Sequence, residues 1–364
     1  MTSAERVAVV GTGLIGTSIA MAAARAGDQV RGFDLDEGVL ALAAERSGLS
    51  PASGLEECVR GATVAFVCTP IPALAPLVAE ILPLAPHAAV TDVGSVKTHV
   101  MRAVSSITAP EDRARYIGGH PMGGSERSGP DHASPSVLDG IVWVLSPGRG
   151  ADEDTTGRLE AWVAKVGARP VLMDAERHDR LVAVVSHLPQ VASTALMGLA
   201  ATEEAGEPEI LLLAAGGFRD LTRLAASNPH LWGDILLANR EEVVRAIDLY
   251  VERLGRFRDR VLAGDAPEVE AAFASAKDAR LTLAAKPQVR SGVAVLQVPV
   301  PDRPGVLAEV TATMSESGVN IEDLQIVHSP EGGRGTVHLT VAADAAAEAE
   351  RALRERWFEP LRLA

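Results

Sequence analysis

Three segments concentrate side chains able to do chemistry. Gly118-Gly-His120-Pro-Met-Gly-Gly-Ser125 sets an imidazole among glycines and a proline. That is a poor place for a helix or an extended sheet, so the backbone is expected to be shaped to present the ring. A histidine suits the removal of a hydroxyl proton near neutral pH, and the plainer alternative is an ordinary exposed loop residue. Gly216-Gly-Phe-Arg219-Asp220-Leu-Thr-Arg223 brings two arginines within five residues. A rigid guanidinium fork matches both oxygens of a substrate carboxylate; the alternative is a surface ion pair such as one with Asp220, worth about 0–1 kcal/mol. The third segment is Arg177-His178-Asp179, followed by Ser186-His187-Leu188-Pro189-Gln190. His187, on an apolar helix, reads equally as a hydrogen-bonded structural histidine and as a functional one. The spacing from His178 to His187 is not a zinc-protease spacing, and no carboxylate repeat accompanies it, so no metal is expected.

A cofactor motif opens the chain. Gly11-Thr-Gly13-Leu14-Ile15-Gly16 begins where an apolar run, Val7–Val10, ends and a helical run starts at Leu14. In that context Gly11 permits the tight turn, Gly13 leaves room for a pyrophosphate at the helix N-terminus, and Gly16 lets helix and sheet approach. Asp34 ends the next strand pattern, 18 residues after Gly16. A carboxylate there accepts hydrogen bonds from ribose hydroxyls and repels a 2′-phosphate, which predicts NAD over NADP. The alternative is that Asp34 only caps the helix starting near Asp36. Cys68-Thr69-Pro70 ends a later strand and would line the same crevice. Ser95, in Asp92-Val-Gly-Ser95-Val-Lys97, reads either as a helix cap or as a group that orients a catalytic neighbour. Crevice, base and fork together predict hydride removal from a carboxylate-bearing alcohol.

These segments need a scaffold. Residues 6 to about 172 alternate β-rich runs (Val7–Val10, Gln29–Phe33, Val64–Cys68, Ala89–Asp92, Tyr116–Gly118, Ile141–Leu145, Arg169–Leu172) with Ala-rich helical runs, the pattern of an α/β parallel sheet covered on both faces. From about Asp174 to Lys286 helical spacing dominates, as in Arg180–Ala200, Asp234–Leu254 and Glu268–Ala285. Those apolar faces meet inside one monomer or against a second subunit. A β-α-β-β-α unit follows: Val293–Val298, the turn PDRPG, Val306–Ser317, Asn320–Val327, the loop SPEGGRG, Thr336–Val341 and Ala345–Glu355, with a short strand near Glu359–Leu363. The expected domains are 1–172, 173–287 and 291–364.

Composition narrows the classes. A length of 364 residues suggests two or three domains, and 47% hydrophobic with 23% charged residues fits a globular chain. A net charge of −14 argues against a nucleic-acid partner. Cys58 and Cys68 form no bridge framework, which favours a reducing compartment and a role as small core residues. The N-terminus lacks a signal-peptide pattern and no run of 18 apolar residues follows, so a cytoplasmic chain without a membrane span is expected.

Taken together, GTGLIG, DVGSVK, GGHPMGGS, HDRLVAVVSHLPQ and GGFRDLTRLAASNPHLW resemble the prephenate/arogenate dehydrogenase family over about residues 6 to 260. The resemblance implies a Rossmann-type domain followed by an all-helical substrate domain that pairs as a homodimer. It implies NAD-dependent oxidative decarboxylation of prephenate to 4-hydroxyphenylpyruvate, with arogenate, or both substrates as in a cyclohexadienyl dehydrogenase, as alternatives. On it, His120 takes the ring-hydroxyl proton, Ser95 positions that histidine and the cofactor, and Arg223 binds a substrate carboxylate. Ser125, Ser186, His187 and Gln190 would complete the substrate pocket. Gln190 stands where family members often carry a histidine, a change that bears on substrate preference. Rival readings are a 3-hydroxyacid or 6-phosphogluconate-type dehydrogenase, which uses a lysine in its helical region, and an amino-acid sensor without turnover.

Val293–Leu363 resembles an ACT domain, a ferredoxin-like regulatory fold. Asp302, Arg303 and Gly305 of its first turn, with Asn320, are the residues expected to meet an effector. Feedback by tyrosine and simple stabilisation of an oligomer are the two roles it implies.

Overall fold

The computed structural model of the protein describes residues 4–123, 129–203, 209–284, 293–328 and 334–363. Ser125 lies outside these residues, as does the stretch 329–333 of the expected SPEGGRG loop. The chain divides into two compact units, residues 1–195 with 224–249 and residues 196–223 with 250–364.

The first unit is built on an eight-stranded sheet. Its strands are β1 (Arg6–Val10), β2 (Gln29–Phe33), β3 (Ser50–Pro51), β4 (Val64–Val67), β5 (Ala89–Asp92), β6 (Tyr116–Pro121), β7 (Val142–Pro147) and β8 (Arg169–Leu172), in the order β3-β2-β1-β4-β5-β6-β7-β8. Helices α1 (Leu14–Arg25), α2 (Glu37–Ser47), α3 (Leu55–Val59), α4 (Ile71–Leu84), α5 (Thr98–Ile107), α6 (Pro110–Arg113) and α7 (Glu153–Lys165) connect them. Successive residues of β1 enter two separate cores. Val7 and Val9 pack with Ile19, Phe66, Trp143 and Trp162, whereas Ala8 and Val10 pack with Val67, Leu74, Val78 and Tyr116. This alternation is the two-faced burial that parallel strands require. In a chain with 3% aromatic residues, Phe66 and Trp162 share one core at a ring separation of 4.4 Å.

Two features depart from expectation. The sheet is mixed, because β7 runs antiparallel to β6. An antiparallel neighbour needs no crossover helix, and the described residues between β6 and β7 form only short 3-10 turns at Pro130–His132 and Pro135–Val137. Strand β6 also runs on to Pro121, so His120 is a strand residue paired with Val144 rather than a residue beyond the strand's end. Glycine makes that extension possible: a Cβ on Gly119 would meet Asp92 O at 2.4 Å and Thr91 Oγ1 at 2.6 Å.

Helices α8 (Ala175–Val182), α9 (Leu188–Glu203), α10 (Glu209–Leu212), α11 (Gly216–Thr222), α12 (Pro229–Ala238), α13 (Arg240–Ala263) and α14 (Ala266–Ala284) follow. A π turn, Ala183–His187, joins α8 to α9. Ile235 of α12 is buried in the core that α4 lines. The run Ala175–Thr202 is, by length and composition, apolar enough to cross a membrane, with a mean hydropathy of 1.4. Along it His178, Asp179, His187 and Gln190 are buried against protein, whereas Leu181, Val184, Val185 and Leu199 are exposed.

In the second unit, β9 (Val293–Pro301), β10 (Ile321–His328), β11 (Arg334–Ala342) and β12 (Leu361–Leu363) form an antiparallel sheet ordered β10-β11-β9-β12. Helices α15 (Val306–Glu316) and α16 (Ala346–Glu355) close its core, with Val310, Met314, Ala349 and Leu353 against Leu296, Val298, Val337 and Leu339. Strand β9 includes Pro301, and Asn320 falls just before β10.

Candidate active site

Strands β1, β4, β5 and β6 are mutually parallel, so their carboxyl ends share one edge of the sheet. That edge collects the Gly11 turn, Thr69, Ser95 and His120. The connections reverse direction between β1 and β4, the point at which open α/β sheets bind dinucleotides.

The glycine motif has the geometry its spacing predicts. Gly11 has φ +91°, and a Cβ there would meet Cys68 O at 2.6 Å. A Cβ on Gly16 would meet Gly11 O at 2.0 Å, whereas one on Gly13 would meet nothing within 4 Å. Backbone thus forbids a side chain at two positions, and open space waits at the third, before the N-terminus of α1. Leu14 is buried and Ile15 half-buried beneath the turn. Asp34 Oδ2 accepts from Thr12 N at 2.6 Å, and its Oδ1 accepts from Asp36 N at 3.1 Å. Asp36, rather than Asp34, caps α2, through Gly38 N and Val39 N. Asp34 therefore ties the end of β2 to the glycine turn, where a ribose would sit. Thr69 Oγ1, beside Pro70 at the start of α4, is buried and has no hydrogen-bond partner. An open cradle, a carboxylate and an unsatisfied hydroxyl on one edge fit a dinucleotide.

Beneath His120 lies a buried polar network that spacing did not announce. Asp92 and Lys97 are fully buried and form an ion pair. Lys97 Nζ also donates to Gly119 O at 2.5 Å, while Asp92 accepts from Tyr116 Oη at 2.6 Å and Gly94 N at 2.7 Å. Burial first, then the neighbouring Asp92 charge, holds the Tyr116 hydroxyl well above its ordinary range. Ser95 is not the cap of α5. Asp179 of α8 takes that task, accepting from Lys97 N at 2.9 Å and Thr98 N at 2.8 Å.

His120 Nδ1 lies 2.8 Å from His178 Nε2, and His178 Nδ1 lies 2.8 Å from Asp179 Oδ1. Burial, followed by electrostatic repulsion from the His178, Lys97 and His187 side chains, pushes the His120 pKa well below its ordinary value. Burial raises Asp179, but hydrogen bonds from His178, Lys97 N and Thr98 outweigh it and leave the carboxyl below its usual range. His178 and Asp179 were visible as a polar run but carried no assigned role. Their partner is 58 residues away, so only the fold reveals it.

His187 is buried, pushed down to about 4 mainly by burial, and meets Asn239 Nδ2 at 3.2 Å through Nδ1. Asn239 also donates to Asp179 O at 3.0 Å. Gln190 Nε2 donates to Leu224 O at 2.8 Å, and Ser193 Oγ accepts from Ala225 N at 3.1 Å, so α9 holds the turn just after Arg223. Ser186 is half-buried one residue before His187. Arg219 and Arg223 themselves belong to the second unit. A cavity of about 680 Å³ in the first unit includes Thr98, His99, Arg102, Asp179 and Arg180 in its lining but not His120, Ser95 or His187. Among the described residues no cluster of His, Cys, Asp or Glu could hold a metal ion.

In the second unit Gly305 has φ +89° ahead of α15, and Arg303 pairs with Glu309 at 2.8 Å. Asn320 Nδ2 donates to Glu322 at 2.5 Å. A cavity of about 560 Å³ lies instead beside Ala312, Glu316, Arg356 and Trp357, with Asp302, Arg303, Gly305 and Asn320 absent from its lining.

Comparison with known proteins matches three families along the chain. The nucleotide-binding domain of prephenate dehydrogenase matches residues 19–172, its dimerization domain residues 174–275, and the ACT domain residues 294–357. Prephenate dehydrogenase of Bacillus subtilis is 30% identical over 348 residues, covering 93% of each chain. The structure of prephenate dehydrogenase from A. aeolicus, in complex with hydroxyphenyl propionate and NAD+, superposes with a TM-score of 0.72 at 26% identity, covering 78% of this chain and 99% of that one. Synechocystis arogenate dehydrogenase superposes with a TM-score of 0.67 at 29% identity, covering 76% and 98%.

Proposed function

The chain belongs to the prephenate dehydrogenase family, and from that premise we propose that it oxidatively decarboxylates prephenate to 4-hydroxyphenylpyruvate. Arogenate, alone or alongside prephenate, is the alternative substrate. The protein is an NAD-dependent dehydrogenase. When bound, NAD supplies the hydride acceptor. The observation that carries the reading is His120: a neutral imidazole on the sheet edge that also bears the glycine turn, with one ring nitrogen engaged by His178.

His120 takes the 4-hydroxyl proton as hydride leaves C4, and a dienone forms. Loss of carbon dioxide from C1 sends the bond's electron pair through the ring to the oxygen. His120 then returns the proton to that oxygen, so no net proton is released. Ser95 orients the imidazole, and the Arg223 fork holds a substrate carboxylate. Ser186, His187 and Gln190 are the other described residues that bind the substrate. Gly11, Gly13, Leu14, Ile15, Gly16, Asp34, Thr69 and Pro70 hold NAD.

The three domains are 1–172, 173–287 and 291–364, and the protein works as a cytoplasmic homodimer paired through its helical domain. Its ACT domain binds tyrosine as a feedback effector through Asp302, Arg303, Gly305 and Asn320. NADH formation followed with prephenate and with arogenate tests the activity. A higher specificity constant for prephenate supports the reading, a higher one for arogenate reassigns the substrate, and no NADH with either removes the proposed reaction.

A further inference from the structure

We propose that His178 and Asp179 are positioning residues that fix which nitrogen of His120 is the base and stabilise the positive charge it carries between hydride loss and decarboxylation. The proposal rests on His120 being the base and extends that reading to two residues outside the substrate pocket.

A carboxylate can only accept hydrogen bonds. Asp179 is held in that form, because Lys97 N and Thr98 N donate to it at 2.9 and 2.8 Å. His178 Nδ1, 2.8 Å from Asp179 Oδ1, must therefore carry its hydrogen. In the neutral ring that leaves a lone pair on His178 Nε2. His120 Nδ1, 2.8 Å from that lone pair, must in turn be the donor. The free lone pair of His120 then sits on Nε2. One carboxylate has decided, through two rings, the atom that meets the substrate, the same orienting logic by which an aspartate fixes a catalytic histidine in hydrolytic triads.

The rings are built to stay in this relation. They meet edge-on at 75°, with centroids 5.0 Å apart, and His178 and Asp179 are only 1% and 2% exposed. Asn239 fixes the backbone carbonyl of Asp179. The charged and titratable groups around His120 are His178 and Asp179 from α8, His187 from the π turn, and Lys97 from the turn before α5, while its β7 partner, Val144, is apolar. Lys97 is itself neutralised by Asp92, to which Tyr116 also donates.

During turnover the substrate O–H bond breaks and an N–H bond forms at His120 Nε2. The imidazolium keeps its Nδ1 hydrogen aimed at His178 Nε2, with Asp179 as counter-charge beyond it. After carbon dioxide leaves, the Nε2 hydrogen returns to the phenolate oxygen. Nothing outside the reaction is consumed.

The test is nitrogen-15 NMR of the full-length, NAD-bound protein labelled at histidine, with the His120 signals assigned by loss in His120→Asn. At neutral pH His120 is expected as the neutral ring protonated on Nδ1. In His178→Leu that preference is lost, and kcat falls by about 10²-fold or more with KM for NAD changed less than about twofold. His178→Gln, which keeps an acceptor oxygen but not the ring that links His120 to the Asp179 charge, retains the tautomer and loses only about tenfold in kcat. A wild-type His120 protonated on Nε2, or an unchanged kcat in His178→Leu, overturns the proposal. If the wild type oxidises neither substrate, the base reading fails while the tautomer is still read. Turnover with the wrong tautomer sinks this proposal alone.

Discussion

Lys97 and Asp92 are ion-paired with both side chains fully buried, and the same ammonium holds the carbonyl of Gly119, the residue before His120. A pair this deep adds little over apolar packing, yet losing one member strands a charge. Lys97→Met should cost about 3–5 kcal/mol of stability, read by urea unfolding through the fluorescence of Trp143 and Trp162, both in the first unit's core. Lys97→Met with Asp92→Asn should recover part of that loss. An Lys97→Met chain as stable as wild type would show that the pair does not support β6.

The glycines separate folding from binding. Gly16→Ala places a Cβ against the Gly11 carbonyl and should destabilise the turn and abolish NAD binding together. Gly13→Ala meets no protein atom, so stability should be unchanged while NAD affinity falls by about tenfold or more, a loss of roughly 1.4 kcal/mol or more. Calorimetric titration with NAD decides. Undiminished affinity in Gly13→Ala would place the pyrophosphate elsewhere.

Asp34 should set cofactor choice. Asp34→Asn keeps an acceptor for Thr12 N but removes the charge that repels a 2′-phosphate. The ratio of kcat/KM for NAD to that for NADP should drop by about tenfold, about 1.4 kcal/mol of discrimination. A ratio that does not move would exclude Asp34 from cofactor selection.

His120 and His187 both have folded pKa values below the ordinary histidine value, chiefly because burial penalises the charged ring. Below about pH 6.5 the unfolded chain protonates these rings and the folded chain does not, so the unfolded state binds more protons and stability falls with acidification. For His187 the window runs from about 6.5 down to about 4 and amounts to at most on the order of 3 kcal/mol. Urea unfolding across that range should show a shallower pH slope in His187→Gln than in wild type. Equal slopes would mean that His187 is already protonated in the folded protein or titrates normally there.

Local chemistry was legible in the sequence; long-range partnership was not. The glycine turn could be read because Gly11, Gly13 and Gly16 act within a single strand-turn-helix, and φ +91° at Gly11 follows from that geometry. The small C-terminal sheet could be read because strand and helix periods alternate cleanly there. The direction of β7 could not, since an antiparallel return and a parallel crossover can carry the same apolar run. Nor could the cap of α5, whose acceptor Asp179 lies 81 residues beyond Thr98. His120 was singled out for its glycine surroundings, which proved to be strand backbone packed against Asp92 and Thr91. The run Arg177-His178-Asp179 was the available signal for the orienting pair, and it needed the fold to give it a direction.

The most direct test is steady-state turnover of His120→Ala with NAD and prephenate, beside Arg223→Ala. Removing the base should lower kcat by about 10²–10⁴-fold with little change in KM for prephenate. Removing the fork should mainly raise that KM, with the loss of kcat/KM corresponding to about 2–5 kcal/mol. A His120→Ala enzyme that turns over at a near-wild-type rate would contradict the assignment of the base, and with it the account of this site.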